Sequence, residues 1–257
     1  MKQRPNALTT IRQWRVMKTI AVLILSMLSL TVEAKIVADS GTKRVQMVEL
    51  FSSESCSSCP PADQWIGKLK DHPDLWKTFV PVVFHVDYWN NLNWKDEYSG
   101  EPMTQRQIAL SKLWKSPSVY TPGFVISGQE WGGWRSSKNL SLPAVANDYG
   151  LRIIIEQKNK DEYKVILSGQ SNTKKYVLHY ALLGMDIDSK ITSGENSGKL
   201  LKHDFLVLKW NTIEAKDLSQ ISFKTNFENK KVPPKAIVVW IEAEGRPEPL
   251  QVAGGYL

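Results

Sequence analysis

Two cysteines, Cys56 and Cys59, are the residues whose type and spacing most directly suggest chemistry. They lie in the stretch FSSESCSSCPPADQW, residues 51–65, and the sequence has no others. A Cys-x-x-Cys pair can exchange a disulfide with another protein, supply part of a metal site, or pin a loop. Because Pro60 and Pro61 follow at once, we expect Cys59 at the start of a helix, where the missing proline N–H costs nothing.

This position predicts different roles for the two sulfurs. The free N–H groups and positive end of a helix favour a thiolate on the first cysteine, lowering its pKa from about 8.5 toward about 7. Cys56 is therefore the predicted nucleophile, and Cys59, more buried, the resolving thiol of a mixed disulfide. Glu49, on the preceding apolar strand, could accept the proton of Cys59, since desolvation should raise its pKa. The alternative is that Glu49 points to the rim of the sheet.

Two other readings of the cysteines stay open. His85, near the end of a second apolar strand, could join them in a Cys₂His site for copper or zinc, although a hydrogen-bonded histidine at a strand end is the simpler alternative. The disulfide could also be structural, in a non-enzymatic binding protein. His203 is assigned to a domain interface or turn. GENSGK, residues 194–199, is assigned to a turn because it lacks the helix signals of a nucleotide-binding loop.

Charged and aromatic residues surround the predicted site. Arg106, in TQRQ, is expected to pair with Asp87 or Asp96. Four tryptophans lie in segments rich in asparagine, glycine and charge, where they either form a surface for peptides or glycans or, as we favour, pack inside the protein. They are Trp89, Trp94, Trp131 and Trp134.

The amino terminus predicts the compartment. Residues 1–34 have a basic start, an apolar run at Ile20–Leu30 and a Val-Glu-Ala ending, the pattern of a secretory signal cleaved after Ala34. The apolar run is shorter than the roughly 20 residues that span a bilayer. We therefore predict a periplasmic or secreted protein without a stable membrane anchor after cleavage, in a compartment where a disulfide persists. A start at Met17 would give a shorter signal.

The net charge and the sequence motifs limit the classes of partner and cofactor that the sequence predicts. Removing the signal leaves 223 residues with 28 basic and 25 acidic side chains, a net charge of +3 instead of +7. No block of basic residues remains, so no nucleic-acid partner is predicted. No phosphate-binding glycine loop or metalloprotease motif indicates a cofactor. The predicted partners are protein thiols or disulfides.

The elements that must position these residues differ between the two halves of the chain. Strands predicted at 45–51, 79–87 and 119–127 alternate with helical patterns, which favours an α/β domain over residues 45–149. From residue 150 onward, short strands with turn-rich spacers and no convincing helix predict a β-sandwich of the immunoglobulin-like kind, residues 150–257. The boundary is expected near residues 148–150.

Several segments resemble a bacterial family of exported thioredoxin-like proteins known mainly as a domain of unknown function. They include VELFSSESCSSCPPAD, HVDYWNNLNWKDEY, TQRQ, VYTPG, GENSGKLLKH and PLQVAGGYL, and CSSCPPAD is the specific string. The resemblance spans nearly all of residues 45–257. It implies a thioredoxin-like first domain, Cys56 and Cys59 as the redox pair, and Pro122 as a cis-proline facing that pair across a substrate groove. Thioredoxins carry Trp-Cys-Gly-Pro-Cys, whereas serines stand at the three non-cysteine places here, so we expect only a moderately stabilised thiolate.

Overall fold

The computed structural model describes residues 34–136, 140–144, 150–169, 175–215, 220–228 and 231–257. Residues 34–257 form one compact unit. The predicted signal lies outside the described residues except for Ala34, and most of the predicted boundary near residues 148–150 lies outside them too. In the described ranges, no helix combines the length and apolar character needed to cross a membrane.

Strands dominate the described part of the chain, which has only two α-helices. The helices are α1 (Pro60–Gly67) and α2 (Glu101–Leu113), and single 3₁₀ turns lie at Lys68–Asp71 and Gly133–Arg135. The strands are β1 (Lys35–Asp39), β2 (Gln46–Ser52), β3 (Phe79–His85), β4 (Gly123–Ile126), β5 (Gln129–Glu130), β6 (Arg152–Gln157), β7 (Glu162–Ser168), β8 (Tyr176–Gly184), β9 (Ile187–Lys190), β10 (Leu200–His203), β11 (Leu206–Ala215), β12 (Gln220–Lys224), β13 (Ala236–Ala243) and β14 (Pro249–Tyr256).

A mixed sheet of eight strands forms the centre of the protein, in the order β14-β13-β8-β11-β3-β2-β4-β5. Strand β2 pairs in parallel with β3 and antiparallel with β4. Strands β3 and β11 meet in parallel at Val83 and Leu206, where the Val83 N–H donates to the Phe205 carbonyl at 2.9 Å. An antiparallel sheet, β1-β6-β7-β12, and the hairpin β9–β10 complete the described sheets.

Strand β13 shows how the central sheet is buried on both faces. Val238 and Trp240 belong to one hydrophobic core, which also receives the apolar faces of α1 and α2. Ile237, Val239 and Ile241 belong to a second core, shared with β6 and β7. Because alternate side chains of a strand point to opposite faces, a strand covered on both sides reads as a continuous apolar run.

The predicted fold class, an α/β thioredoxin-like domain followed by an all-β sandwich, is wrong. The protein is mostly β-sheet, and its two α-helices have only 8 and 13 residues. Strands from both predicted domains share the central sheet, and β1 from the amino-terminal part pairs with β6 in the four-stranded sheet. The prediction failed because a continuous apolar run indicates burial on both faces but not which strands become neighbours or in which direction they run.

Candidate functional site

The cysteine motif lies where the sequence places it, between a buried strand and a helix. Strand β2 ends at Ser52, Cys59 is the residue that precedes α1, and both prolines occupy its first turn. The Cys59 carbonyl accepts hydrogen bonds from the N–H groups of Ala62 and Asp63, at 2.8 and 3.1 Å. Cys56 and Cys59 form a disulfide, with Cα atoms 5.4 Å apart. The predicted helix start is confirmed.

The two sulfur-bearing residues are buried, whereas the serines between them face solvent. Cys56 is 3% exposed and Cys59 is 0% exposed, while Ser57 and Ser58 are both exposed. Both cysteines are therefore buried, which contradicts the accessible position that a nucleophilic Cys56 needs.

A segment from the second half of the sequence contacts the motif. We call it the cover loop, and it comprises residues 193–198, between β9 and β10. The buried amide of Asn196 donates from Nδ2 to the carbonyl oxygens of Glu54 and Cys56, at 2.8 and 3.0 Å. The Ser57 N–H donates to Glu195 Oε2 at 3.2 Å. These bonds attach the cover loop to both sides of Cys56, so the segment that the sequence assigns to a turn is part of the site.

A buried set of charged residues adjoins the motif, and we call it the histidine cluster: Glu54, Asp63, His85, Asp96 and His203. Each is 7% exposed or less. His85 Nδ1 lies 2.8 Å from Asp96 Oδ2, and His203 Nε2 lies 3.2 Å from Glu54 Oε1. The two imidazole rings meet edge to face, with centroids 5.0 Å apart. His85 thus ends β3 and pairs with Asp96, as the simpler alternative expects, and its ring also contacts that of His203.

Burial and pairing act against each other in this cluster. Burial alone would lower the pKa of His85, but the charge and hydrogen bond of Asp96, together with the charges of Asp63 and Glu54, outweigh burial and the pKa rises to about 9. Burial alone would raise the pKa of Asp96, but the charge and hydrogen bond of His85, together with the backbone N–H groups of Glu54 and Tyr98, hold it below its usual value. Burial dominates at Asp63 and raises its pKa. The pKa of Glu54 is lowered despite burial, chiefly by its hydrogen bond with His203.

Glu49 lies in a separate buried network around Arg106. Arg106 Nε donates to Glu49 Oε2 at 2.5 Å, and its Nη1 donates to Glu242 Oε1 at 2.7 Å. His179 Nε2 lies 3.2 Å from Glu242 Oε2, and the guanidinium carbon lies 5.1 Å from the ring centre of Trp240. Burial raises the pKa of Glu49, with Arg106 opposing it, as the sequence predicts.

The expected partners of Arg106 are wrong. Asp87 instead accepts a hydrogen bond from the Thr104 hydroxyl at 2.6 Å, and Asp96 pairs with His85. The role of Glu49 as acceptor for the Cys59 proton stays a prediction. The alternative position at the sheet rim is excluded, since Glu49 is 0% exposed.

Pro122 and the tryptophans complete the predicted site. The Thr121–Pro122 peptide bond is cis, as the resemblance implies, and Pro122 is buried at the start of β4. Trp89 and Trp94 are partly buried and donate from Nε1 to Thr121 Oγ1 and Glu54 Oε2, at 2.8 and 2.7 Å. Trp131 and Trp134 pack against Phe124. The favoured interpretation, that these rings pack within the protein, holds for Trp89, Trp131 and Trp134, which are partly buried against the main core.

Sequence reasoning missed two residues of the site. His203 was assigned to an interface or turn, and Asn196 to a turn, yet both contact residues that precede Cys56. One available signal was the pattern of LLKHDF, where the second leucine and the histidine alternate with polar residues and lie buried on one face of β10.

Comparisons with known proteins show likeness at the level of fold and family. A crystal structure of a protein from Agrobacterium tumefaciens matches with a TM-score of 0.56 and 22% identity, covering 83% of this chain and 95% of that one. HBP35 of Porphyromonas gingivalis matches with a TM-score of 0.52 and 15% identity, covering 85% and 76%. No curated protein matches the chain. A family model described as a protein of unknown function, DUF1223, matches residues 47–242, and the chain belongs to that family.

Proposed function

We propose that this protein exchanges disulfides with protein partners through Cys56 and Cys59. The observation that carries the proposal is the disulfide joining these residues immediately before α1, with Ser57 and Ser58 exposed between them. A disulfide at the amino end of a helix has a leaving thiolate that the helix stabilises. The likeness to exported thioredoxin-like proteins supports the proposal only through the CSSCPPAD motif and does not extend to the fold.

The proposed reaction conserves atoms and electrons. A thiolate of a partner dithiol attacks Cys56 Sγ, the Cys56–Cys59 bond breaks, and Cys59 leaves as a thiolate that takes up a proton. The second thiolate of the partner then attacks the mixed disulfide and releases Cys56. Two electrons pass from the partner, which gains a disulfide, to this protein. The reverse sequence reduces a partner disulfide, with Cys56 as nucleophile and Cys59 as resolving thiol.

The cover loop makes access to Cys56 conditional. Cys56 is 3% exposed, and the loop is bonded on both sides of it. A partner thiolate therefore reaches the sulfur only when residues 193–198 move away. Pro122 is assigned, on the resemblance alone, to the groove that a partner would occupy. Export to the periplasm or outside the cell would supply the oxidising environment that this chemistry needs.

The experiment that tests the proposal combines a reduction potential with trapping. Exchange catalysts have potentials between about −120 and −270 mV, whereas structural disulfides have potentials below about −300 mV. We expect a value in the first range, and a Cys59→Ser variant that accumulates mixed disulfides with proteins of the producing cell. The Cys56→Ser variant should accumulate none. A potential below the catalytic range together with no trapped partner would contradict the proposal.

A structural disulfide is the second candidate, favoured by the burial of Cys56. In that case removal of the disulfide should cost about 2 kcal/mol of unfolding free energy, because the disulfide closes a short loop, with a sequence separation of 3. Urea denaturation of the oxidised and reduced protein measures this cost directly. A low potential with a large cost supports the structural role, and a catalytic potential with a small cost supports exchange.

A further inference from the structure

Three ligand-type side chains converge next to the cysteine motif. Asp63, His85 and His203 each present one ligand atom, and these atoms lie within 4.8 Å of one another. They come from α1, β3 and β10, three elements far apart in sequence. In a tetrahedral zinc site, ligand atoms at about 2.0–2.2 Å from the ion lie about 3.3–3.6 Å from each other. Side-chain movements of about 1 Å would therefore bring all three atoms onto one ion.

Each of these residues has buried side-chain atoms with no hydrogen-bond partner within the described part of the chain. They are Asp63 Oδ1 and both ring nitrogens of His85 and of His203. An unpartnered buried polar atom ordinarily costs about 1–3 kcal/mol, so such atoms are rare in native proteins. Such atoms on three neighbouring side chains point to a ligand that satisfies them together.

One nitrogen of each histidine lies at ion-pair distance from a carboxylate, an arrangement also found around bound metals. His85 Nδ1 faces Asp96 at 2.8 Å, and His203 Nε2 faces Glu54 at 3.2 Å. The second oxygen of Asp63 accepts a hydrogen bond from the Ser52 hydroxyl at 3.1 Å. Metal-binding histidines almost always place their other ring nitrogen on a carboxylate, carbonyl or water, which fixes the tautomer and orients the ring.

We propose that Asp63, His85 and His203 form a binding site for one divalent transition-metal ion, with Zn²⁺ the best-matched ion. Two imidazoles and one carboxylate are typical zinc ligands, and three protein ligands leave a fourth position for a water or thiolate. The site differs from the predicted Cys₂His arrangement, because both sulfurs are joined to each other. It does not depend on the proposed disulfide exchange.

The test is a zinc titration of the full-length, oxidised protein after chelator treatment, followed by calorimetry and elemental analysis. We expect about one ion per chain. Asp63→Asn and His203→Gln should each weaken binding more than Asp96→Asn, whose outer position predicts a loss of about 10–100-fold. The matched controls are Asp87→Asn and His72→Gln, which lie outside the cluster and should bind as wild type does. A Cys56→Ser/Cys59→Ser double variant should also retain zinc, which separates this site from one that uses sulfur.

Two further measurements guard against variants that misfold or load slowly. Circular dichroism and thermal melting should show that each variant is folded. The wild-type protein and each variant should also be refolded with Zn²⁺ present, because the cluster is buried. Cobalt substitution should give visible absorption bands of a nitrogen- and oxygen-bound ion in wild type and not in His203→Gln. The proposal would be overturned if the wild-type protein binds no zinc after refolding. It would also be overturned if the Asp63 and His203 variants bind zinc as tightly as the wild-type protein does. Neither outcome alters the test of disulfide exchange.

Discussion

Arg106 is a single residue on which two buried carboxylates depend. Glu49 and Glu242 both pair with it, and all three residues are 7% exposed or less. Replacement by methionine keeps much of the volume but leaves both carboxylates without the cation. Breaking a buried pair by removing one partner costs about 3–5 kcal/mol. We expect Arg106→Met to lower the unfolding free energy by about that amount, measured by urea denaturation at neutral pH.

The control for this loss is Lys112→Met, an exposed change on the same helix. It should alter the unfolding free energy by about 0.5 kcal/mol or less. Equal midpoints for the two variants would show that the network around Arg106 does not contribute to stability.

Glu242 makes the same network sensitive to acid. Burial alone would raise its pKa, but the charge of Arg106 and the hydrogen bond with His179 outweigh burial and lower the pKa below 4.5. A carboxyl group with a lowered folded pKa stabilises the protein above its unfolded pKa, and this contribution disappears as pH falls through the folded value. The unfolding free energy of Glu242→Gln should therefore fall less steeply than that of wild type below about pH 4.5. Urea denaturation at several pH values between about 5 and 3, with pH 7 as reference, measures both slopes, and parallel curves would contradict the assignment.

Single residues also show where sequence reasoning stops. A buried Glu49 with a raised pKa is one of the two alternatives that its place in an apolar strand allows, and it is the one that the structure shows. Its partner could not be predicted, because Arg106 lies 57 positions away and Glu242 lies 136 positions beyond Arg106. Periodicity assigns a face to a side chain but not the side chain opposite it.

At the scale of elements, the cover loop is the part that we propose controls access to Cys56. Asn196→Ala removes two hydrogen bonds to main-chain carbonyls, which together contribute about 1–3 kcal/mol. If exchange requires loop opening, the open population rises by roughly 5–150-fold. We expect a small external thiol to reduce the disulfide of this variant faster than the wild-type disulfide, by up to that factor. The reduction rate is measured by stopping samples with iodoacetamide at successive times.

The matched control for the cover loop is Lys190→Ala, an exposed position on β9 of the same hairpin. It should be reduced at the wild-type rate. If Asn196→Ala and wild type are also reduced at equal rates, the loop does not limit access to the sulfur.

Local elements were predictable where the pattern and the boundary signals agree. The prolines after Cys59 marked the start of α1, and the hairpin of β6 and β7 followed from two apolar runs around a polar turn. Strands β9 and β10 were missed because their four-residue patterns are too short to stand out. This omission hid the cover loop and His203, and with them half of the candidate site.

At the scale of the whole molecule, the junction of β3 and β11 decides the architecture. It brings strands from the first and second halves of the sequence into one sheet, although the halves differ in pattern. The pairing is a long-range contact with no local signature, so the sequence favoured two separate domains. Arg106 strengthens the same connection, since it joins β2 to β13 through its two carboxylate partners.

A shared sheet predicts that the two halves unfold together. Leu110 lies in the core that receives the helices, and Ile155 lies in the core beneath the four-stranded sheet; both are 0% exposed. Replacing either leucine or isoleucine by alanine costs about 2–5 kcal/mol in a packed core. In a cooperative unit each change lowers the midpoint of one common transition. We therefore expect Leu110→Ala and Ile155→Ala each to shift the tryptophan-fluorescence and far-ultraviolet dichroism curves in urea together. Two independent domains would instead give two unfolding transitions. Each variant would then lower the midpoint only of the domain that contains the substitution, because destabilising one core would not affect the stability of the other.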